Sequence, residues 1–352
     1  MLESLRQESE KLARSWMRHD QEALRDYLIA DVEDPRLNVS SLISRQFLIT
    51  ALGGGRFQEL MDHELRFAVA MNWLLGLTKR ASGAEEFQAV RHGFQRGADD
   101  AEGIEIPRYL LKIFSALPAS LPSLAPDSAP TSEPVPVVPN YLLEVLAQTR
   151  WQDGKAQFPA GALDTFQRLW RAILSHEPRP QPAPRVLEAA CGSANDYRFL
   201  ETFGLARLID YTGFDLCEKN VLNARALFPM ARFEVGNVFA IAAPDKSFDY
   251  VFAHDLFEHL SLEGLDAAVG ELCRVARRGL CLGFFNLDER ADHLVRPVEE
   301  YHWNTLSVDR LREAFEQRGF SVQVVHVGSF LRWATGCDRT HNENAYSFLL
   351  RA

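Results

Sequence analysis

The sequence predicts an α/β fold for its C-terminal half, with a mostly parallel sheet of seven strands whose last strand is antiparallel, preceded by an all-helical N-terminal domain. Three observations lead to this prediction. From about residue 185 onward, short apolar runs alternate with helical patterns, which is typical of a parallel sheet covered by helices on both faces. Before about residue 115, the apolar residues recur only at helical spacing. A proline-rich stretch separates the two parts.

Length and composition indicate a globular protein of two domains. The chain has 352 residues, of which 47% are apolar and 24% charged, which is enough to bury a sizeable core. The net charge of −10 argues against a nucleic-acid partner, because phosphate binding needs clustered lysine and arginine. A small molecule or another protein is the expected partner.

The sequence shows no targeting or membrane signal, so we expect a cytoplasmic protein. The start, 1–10, carries acids where a secretory signal would carry bases and an apolar run. The most apolar stretch, Phe67–Leu77, is interrupted by Asn72 and is shorter than the ~20 residues of a membrane helix. The five cysteines are widely spaced and are expected to be reduced thiols.

The predicted domains follow the prolines. Residues 1–115 form a helical N-terminal domain that could cap a pocket, form a homodimer or bind a partner, and the sequence does not decide between these roles. Residues 116–140 contain seven prolines and form an extended linker. Residues 141–352 form the second domain, with a helical lead-in at 141–180 and an α/β core at 185–352.

The elements follow from periodicity, taken in chain order. After an amphipathic N-terminal pair (Leu5, Trp16, Leu24), helices are predicted over Phe57–Lys79, Glu85–Gly97, Pro107–Leu117, Tyr141–Gln148, Gly161–Ser175, Tyr197–Phe203, Glu218–Leu227, Leu265–Arg277 and Val308–Arg318. Strands are predicted over Val186–Ala190, Tyr211–Phe214, Arg232–Val235, Phe248–Ala253, Leu280–Phe285, Val322–Val327 and Tyr346–Leu350. The last two strands are separated by a loop without a helix, which predicts an antiparallel pair at one edge.

The turn after the first core strand has the composition of a nucleoside-binding loop. Gly192 lies among small residues between a buried strand and a helix start, so a ligand can approach the backbone and its free N–H groups closely. Asp215 ends the next strand, where an acid can accept hydrogen bonds from both ribose hydroxyls.

The glycine pattern favours a cofactor without phosphates over a dinucleotide. A dinucleotide site needs three glycines, whereas Ala190 and Ala194 flank Gly192 here. Glu188, just before the turn, also disfavours an anionic cofactor and suits one that carries an ammonium and a sulfonium.

At these residues the chain resembles the class I S-adenosylmethionine-dependent methyltransferases. The resemblance runs from about Arg185 to the C-terminus and rests on several segments together. The matching segments are Val-Leu-Glu188 with Cys-Gly192, Gly-Phe-Asp215, Gly236-Asn237-Val238, strand Ser247–Asp255, and Phe257-Glu-His-Leu260. The resemblance implies a Rossmann-like core and S-adenosyl-L-methionine as the cofactor.

The resemblance also implies roles for individual residues. The methionine portion would lie beside Ala190, Gly192, Ser193 and Ala194, with its amino group held by Glu188 directly or through water. Asp215 would bind the ribose, Leu216 would pack on the adenine, Asn237 would face the adenine amine and Val238 would supply a backbone donor. His254 would lie under the reactive methyl. Two positions depart from the usual pattern, since Asn237 stands where the family usually has Asp and Ala194 replaces a common Gly.

The acceptor is expected to be a polar small molecule bound by two segments that are rich in rings and titratable groups, Asp288–Leu306 and Phe330–Asn344. The predicted acceptor-binding residues are Tyr301, Trp303, Arg332 and Trp333. If a general base is used, His254 and His302 are the candidates. The alternative is that both segments are solvated loops with a few anchoring aromatic residues.

Three further alternatives stay open at this point. Asp255, Glu258 and His259, with His254, could form a metal site, although a strand end and helix start of the family type explains them without metal. The chain could be a non-catalytic nucleoside-binding module that regulates a partner through its helical half. A nicotinamide-dependent oxidoreductase is disfavoured by the missing glycines.

Overall fold

The computed structural model describes residues 2–18, 38–80, 83–85, 88, 147–152, 155–157, 161, 164–337 and 342–352. Several predicted elements fall wholly or mostly outside these residues: the second helix of the N-terminal pair (at Leu24), the helices Glu85–Gly97, Pro107–Leu117 and Tyr141–Gln148, and the linker at 116–140. The division of the chain into an N-terminal and a C-terminal domain therefore stays a prediction.

The predicted seven-stranded sheet is confirmed. Its strands are β3 (Arg185–Ala189), β4 (Asp210–Asp215), β5 (Arg232–Val235), β6 (Phe248–His254), β7 (Ala276–Phe284), β12 (Ser321–His326) and β13 (Tyr346–Arg351). They are arranged in the order β12-β13-β7-β6-β3-β4-β5. The pairs β3–β4, β3–β6, β4–β5 and β6–β7 are parallel, and β13 is antiparallel to both of its neighbours. The carboxyl ends of β3, β4 and β6 therefore meet at one edge.

Helices cover both faces of the sheet, and the described N-terminal helices are among them. The helices are α1 (Glu3–Arg18), α2 (Val39–Gly53), α3 (Gln58–Arg80), α4 (Thr165–Ser175), α5 (Asn195–Thr202), α6 (Glu218–Leu227), α7 (Leu262–Val275), α8 (Val308–Glu316) and α9 (Val327–Thr335). Residues of α2 to α6 pack in one core with Val186, Tyr211 and Phe252 of the sheet. Leu5 and Leu12 of α1 pack in the other core, with residues of α7 and α8.

Short strands complete the fold. A hairpin of β1 (Arg150–Gln152) and β2 (Lys155–Gln157) precedes α4. Between β7 and α8, the connection contains β8 (Leu287–Asp288), β9 (Pro297–Val298), β10 (Tyr301–His302) and β11 (Leu306–Ser307). This connection, which the sequence predicts to bind the acceptor, is thus partly ordered by backbone pairing.

Two predictions about helices need correction. The prediction of a loop without a helix between the last two strands is wrong, because α9 occupies Val327–Thr335. This helix directly follows β12 and does not cross over the sheet, so β12 and β13 can still pair antiparallel. The sequence also failed to predict α2, whose apolar residues are spread around the helix because it packs between the sheet and α3.

A buried polar network ties α2 and α3 to α4. Arg45 of α2 donates to Glu64 of α3 at 2.6 Å, and the indole N–H of Trp170 in α4 donates to the other carboxylate oxygen at 2.8 Å. Arg45 and Glu64 are each only 2% exposed. The guanidinium of Arg45 also lies 3.9 Å from the centre of the Phe203 ring. Because a buried charge is costly unless it is paired, moving these helices apart would leave a buried charge without its partner.

Among the helices that the structure describes, none combines the length and the apolar character that are needed to cross a membrane.

Candidate cofactor and acceptor site

The turn between β3 and α5 adopts the backbone conformation of a glycine-rich loop with alanine at two of its positions. Ala190, Gly192 and Ala194 have φ angles of 56°, 54° and 67°. A Cβ added at Gly192 would meet no atom within 4 Å, so this turn presents open space at the edge of the sheet. The left-handed conformation costs an alanine about 1–2 kcal/mol. The two alanines therefore hold strain in the loop that the sequence predicts to bind the methionine portion.

Replacing Ala190 by glycine should stabilise the protein. Release of about 1–2 kcal/mol of left-handed strain outweighs the backbone entropy of glycine, about 0.5–1 kcal/mol. We therefore expect Ala190→Gly to raise the free energy of unfolding by about 0.5–1 kcal/mol in urea denaturation. Gly192→Ala is the matched control and should lower the free energy of unfolding, because it adds the same left-handed strain at another position of the same turn. A destabilised Ala190→Gly variant would contradict the left-handed backbone at residue 190.

Asp215 fastens this turn to the end of β4. Its carboxylate accepts hydrogen bonds from the backbone N–H of Gly192 at 2.9 Å and of Cys217 at 2.8 Å, and from the side-chain amide of Asn220 at 3.1 Å. The residue is 8% exposed, and burial raises the pKa of its carboxyl although these three donors oppose the shift. The structure thus brings Asp215 beside Gly192, as the sequence predicts, with Leu216 half-buried next to it.

Asn237 is held by the N-terminal helix. Its amide nitrogen donates to the hydroxyl of Ser9 in α1 at 2.8 Å, and its amide oxygen accepts from the backbone N–H of Phe239 at 2.9 Å. Glu8, the neighbour of Ser9, accepts from the backbone N–H and the hydroxyl of Ser261 at the start of α7. Because of these contacts, α1 lies against the segment that the sequence predicts to face the adenine. No sequence pattern indicates Ser9, which lies 228 positions away from Asn237.

Glu188 lies in the interior, behind the turn. It is 3% exposed, and its carboxylate accepts a hydrogen bond from the hydroxyl of Tyr211 at 2.5 Å. Burial, together with the nearby carboxylates of Asp196 and Asp215, raises the pKa of Glu188 from 4.5 to about 8. At neutral pH, Glu188 is therefore mostly an uncharged acid.

Both ring nitrogens of His254 face protein side chains. Nδ1 lies 3.2 Å from a carboxylate oxygen of Asp196 in the first turn of α5, and Nε2 lies 2.8 Å from the hydroxyl oxygen of Ser44 in α2. The ring packs against Gly283 of β7, where a Cβ would clash with it. Burial opposes the charged form, but the Asp196 carboxylate outweighs it and raises the pKa of His254 well above its ordinary value.

On the other side of this edge, aromatic rings surround His259. The rings of Trp16, Phe285, Tyr301 and Trp303 lie with their centres between 5.4 and 6.0 Å from the His259 ring. His259 Nδ1 lies 3.1 Å from the backbone oxygen of His302, which brings the short strand β10 next to the helix start after β6. Two predicted acceptor residues, Tyr301 and Trp303, therefore belong to this aromatic cluster.

The other two predicted acceptor residues lie elsewhere. Arg332 and Trp333 are on α9, and the side chain of Trp333 is 83% exposed. Trp333 lines a groove of about 990 Å³ between α2 and the strands β12 and β13, together with Ile43, Phe47 and Leu349. The structure thus separates the four predicted acceptor residues into two groups.

Glu258 is the most deeply buried acid near this edge. It is fully buried, and one of its oxygens accepts from the backbone N–H groups of Phe285 and Asn286. Burial and the neighbouring Asp255 raise the pKa of Glu258 to about 8. Across the described parts of the chain, no group of three or more histidine, cysteine, aspartate or glutamate residues is arranged to hold a metal ion.

Comparison with known proteins finds similarity over the segment that contains this site. Residues 186–279 match the family model of a methyltransferase domain. A probable S-adenosylmethionine-dependent methyltransferase of Mycolicibacterium smegmatis is 31% identical over 149 residues. That match covers 39% of this chain and 52% of the relative, so the chain spans about half the length of the curated relative that it matches.

Solved structures of low sequence identity are also similar. An S-adenosylmethionine-dependent methyltransferase from Mesorhizobium loti is 15% identical, with a TM-score of 0.38 over 53% of this chain and 96% of that chain. A 1,6-didemethyltoxoflavin-N1-methyltransferase from Burkholderia thailandensis, solved with bound 1,6-didemethyltoxoflavin and S-adenosylhomocysteine, is 16% identical. Its TM-score is 0.37 over 53% of this chain and 78% of that chain.

Proposed function

We propose that the chain transfers the methyl group of S-adenosylmethionine to a small-molecule acceptor by in-line displacement. The proposal starts from the similarity of the chain to class I S-adenosylmethionine-dependent methyltransferases. The observation that supports this proposal most directly is the arrangement at the carboxyl ends of β3 and β4. There, the open turn at Gly192 lies beside the carboxylate of Asp215.

The residues at this edge fit the nucleoside part of the cofactor. Gly192 leaves space for close approach to the backbone, and Asp215 offers carboxylate oxygens to the ribose hydroxyls. Leu216, which follows Asp215, and Val238, in the segment after β5, are apolar residues of the same core cluster and suit the faces of the adenine ring. When it is bound, S-adenosylmethionine supplies an electrophilic methyl group on its sulfonium.

The work of the protein in such a transfer is to position the acceptor and to exclude water. We propose that the aromatic cluster around His259, which includes Tyr301 and Trp303, forms one wall of the acceptor site. Nε2 of His254 is hydrogen-bonded to Ser44, and the Asp196 carboxylate that faces Nδ1 raises the pKa of the ring. His254 is therefore better suited to orient its neighbours than to take a proton from the acceptor. His302 remains the other candidate base, and its Nδ1 has no hydrogen-bond partner among the described residues.

Transfer of isotope-labelled methyl tests this proposal. Purified protein would be incubated with methyl-labelled S-adenosylmethionine and a panel of amines, phenols, carboxylic acids and thiols. We expect label in one class of acceptor, with release of an equal amount of S-adenosylhomocysteine. Binding of S-adenosylhomocysteine without transfer to any member of the panel would instead favour the alternative, a non-catalytic cofactor-binding module that acts through the helical N-terminal part.

A further inference from the structure

We propose that Asp196, oriented by His254, is the carboxylate that binds the ammonium group of the cofactor, in place of Glu188. This inference rests on the proposed function and concerns a residue that the sequence pattern does not single out. It follows from a comparison of the two carboxyl groups that lie next to the turn at 190–194.

Glu188 is unsuited to this role because of where its carboxyl lies. With 3% exposure, it has almost no surface for a ligand, and its carboxylate already accepts the hydrogen bond from Tyr211. A raised pKa of about 8 removes most of its negative charge at neutral pH. A neutral, enclosed acid gives an ammonium neither a countercharge nor direct contact.

Asp196 has the properties that Glu188 lacks. It lies in the first turn of α5, two positions after the left-handed Ala194, and its side chain is 35% exposed. Partial burial opposes ionisation, but the imidazole of His254 and the more distant Arg45 outweigh it and lower the pKa of Asp196. Asp196 is therefore an accessible anion beside the loop that is predicted to contact the methionine portion.

An ion-pair contact and a hydrogen bond connect this carboxylate through His254 to Ser44 of α2. Nδ1 of His254 faces Oδ2 of Asp196 at 3.2 Å, and Nε2 faces the Ser44 hydroxyl, which itself donates to the backbone oxygen of Ser40 at 3.1 Å. With both ring nitrogens protonated, Nε2–H donates to Ser44, and at Nδ1 the positive charge of the ring faces the Asp196 carboxylate. His254 is thus a positioning residue that keeps Asp196 charged and turned toward the end of β6.

Ligand pairs that differ only in the amino group test the assignment. Calorimetry would measure the affinity of S-adenosylhomocysteine and of its deamino analogue for the full-length protein and for Asp196→Asn, with folding of each variant checked by its thermal melt. A charge-assisted hydrogen bond contributes about 1.5–3 kcal/mol. We therefore expect Asp196→Asn to lower the affinity for S-adenosylhomocysteine by about tenfold or more. The affinity for the deamino analogue should stay within about twofold of the wild-type value.

Two matched variants separate this role from general effects of charge. The first is Glu188→Gln, and the second is Asp255→Asn, which changes an exposed carboxylate at the same edge. Neither should change the preference of the protein for S-adenosylhomocysteine over its deamino analogue. His254→Asn should lose part of that preference, because the carboxylate is then no longer oriented. If His254 had only a structural role, His254→Asn would lower the affinity for both ligands equally.

The outcomes distinguish this inference from the proposed function. If the wild-type protein binds neither ligand at millimolar concentration, the proposed cofactor and the inference both fail. If the wild-type protein binds S-adenosylhomocysteine but Asp196→Asn retains the full preference for it over the deamino analogue, only the assignment of Asp196 is overturned. Loss of that preference in Glu188→Gln would return the role to Glu188.

Discussion

Replacing Arg45 by methionine should lower the free energy of unfolding by about 3–5 kcal/mol, because the substitution leaves the buried Glu64 carboxylate without its counter-ion. Arg45 and Glu64 are 2.6 Å apart and nearly inaccessible to water. Trp170 donates to the same carboxylate but brings no charge to balance it. Urea denaturation followed by circular dichroism would measure the loss.

A surface ion pair between the same parts of the chain provides the control. Arg56 and Glu177 lie 2.7 Å apart, but the Arg56 side chain is 56% exposed, so Arg56→Met should cost less than about 1 kcal/mol. Adding Glu64→Gln to Arg45→Met should recover much of the loss, because the double variant no longer buries a charge. If Arg45→Met costs as little as Arg56→Met, the packing of α2 and α3 against α4 described above is wrong.

Replacing Glu188 by glutamine should stabilise the protein strongly at alkaline pH and hardly at all in acid. The pKa of Glu188 is raised in the folded state to about 8, from 4.5. Between these values the folded protein keeps a proton that the unfolded chain has lost, so stability falls as pH rises through this window. A shift of this size corresponds to roughly 4–5 kcal/mol at pH 8 and above. Glutamine avoids this loss because it stays uncharged and can still accept the hydrogen bond of Tyr211.

The difference between variant and wild type across pH is the informative measurement. Chemical denaturation at intervals from pH 4.5 to 8.5 should show a gap between the free energies of unfolding of Glu188→Gln and wild type. This gap should be near zero at the acid end and grow to several kcal/mol at the alkaline end. Glu316→Gln, at an exposed position on α8, should show a small gap that does not change with pH. A pH-independent gap for Glu188→Gln would mean that the Glu188 carboxyl is charged in the folded protein.

Much of the sheet could be predicted from local patterns. The strand Arg232–Val235 and the helix Glu218–Leu227 have the bounds that the sequence predicts, because Gly236 follows the strand and Pro229 follows the helix. Two helices were missed for different physical reasons. The apolar residues of α2 are not confined to one side, since it packs between the sheet and α3, and α9 is a short helix within a segment rich in rings and polar groups.

The candidate site could be predicted only where its residues are close in sequence to a strand end. Gly192 and Asp215 follow consecutive strands, and the parallel pairing of β3 and β4 brings them into contact. Ser44 and Ser9 could not be found in this way, because they reach His254 and Asn237 from 210 and 228 positions away. No local sequence pattern predicts contacts between residues that are so far apart in the chain.

The charge states of Glu188 and Asp196 could not be predicted from the sequence either. Glu188 is expected from its position to be an anion that holds the amino group, whereas the structure shows a buried carboxyl under Tyr211. Sequence patterns do not single out Asp196, because the role proposed for it rests on its contact with His254. Burial and tertiary contacts decide which carboxyl is charged, and neither can be read from spacing.

Calorimetric titration of S-adenosylhomocysteine tests most directly whether the carboxyl edge of β3 and β4 is the cofactor site. The titration would use the wild-type protein, Asp215→Ala and, as a control at the opposite end of β4, Asp210→Ala. Loss of a charged hydrogen bond to the ribose costs about 1.5–3 kcal/mol, so Asp215→Ala should bind at least about tenfold more weakly, while Asp210→Ala should bind like the wild type. Equal affinity of Asp215→Ala and the wild-type protein, or no binding by the wild type at millimolar ligand, would contradict the site described here.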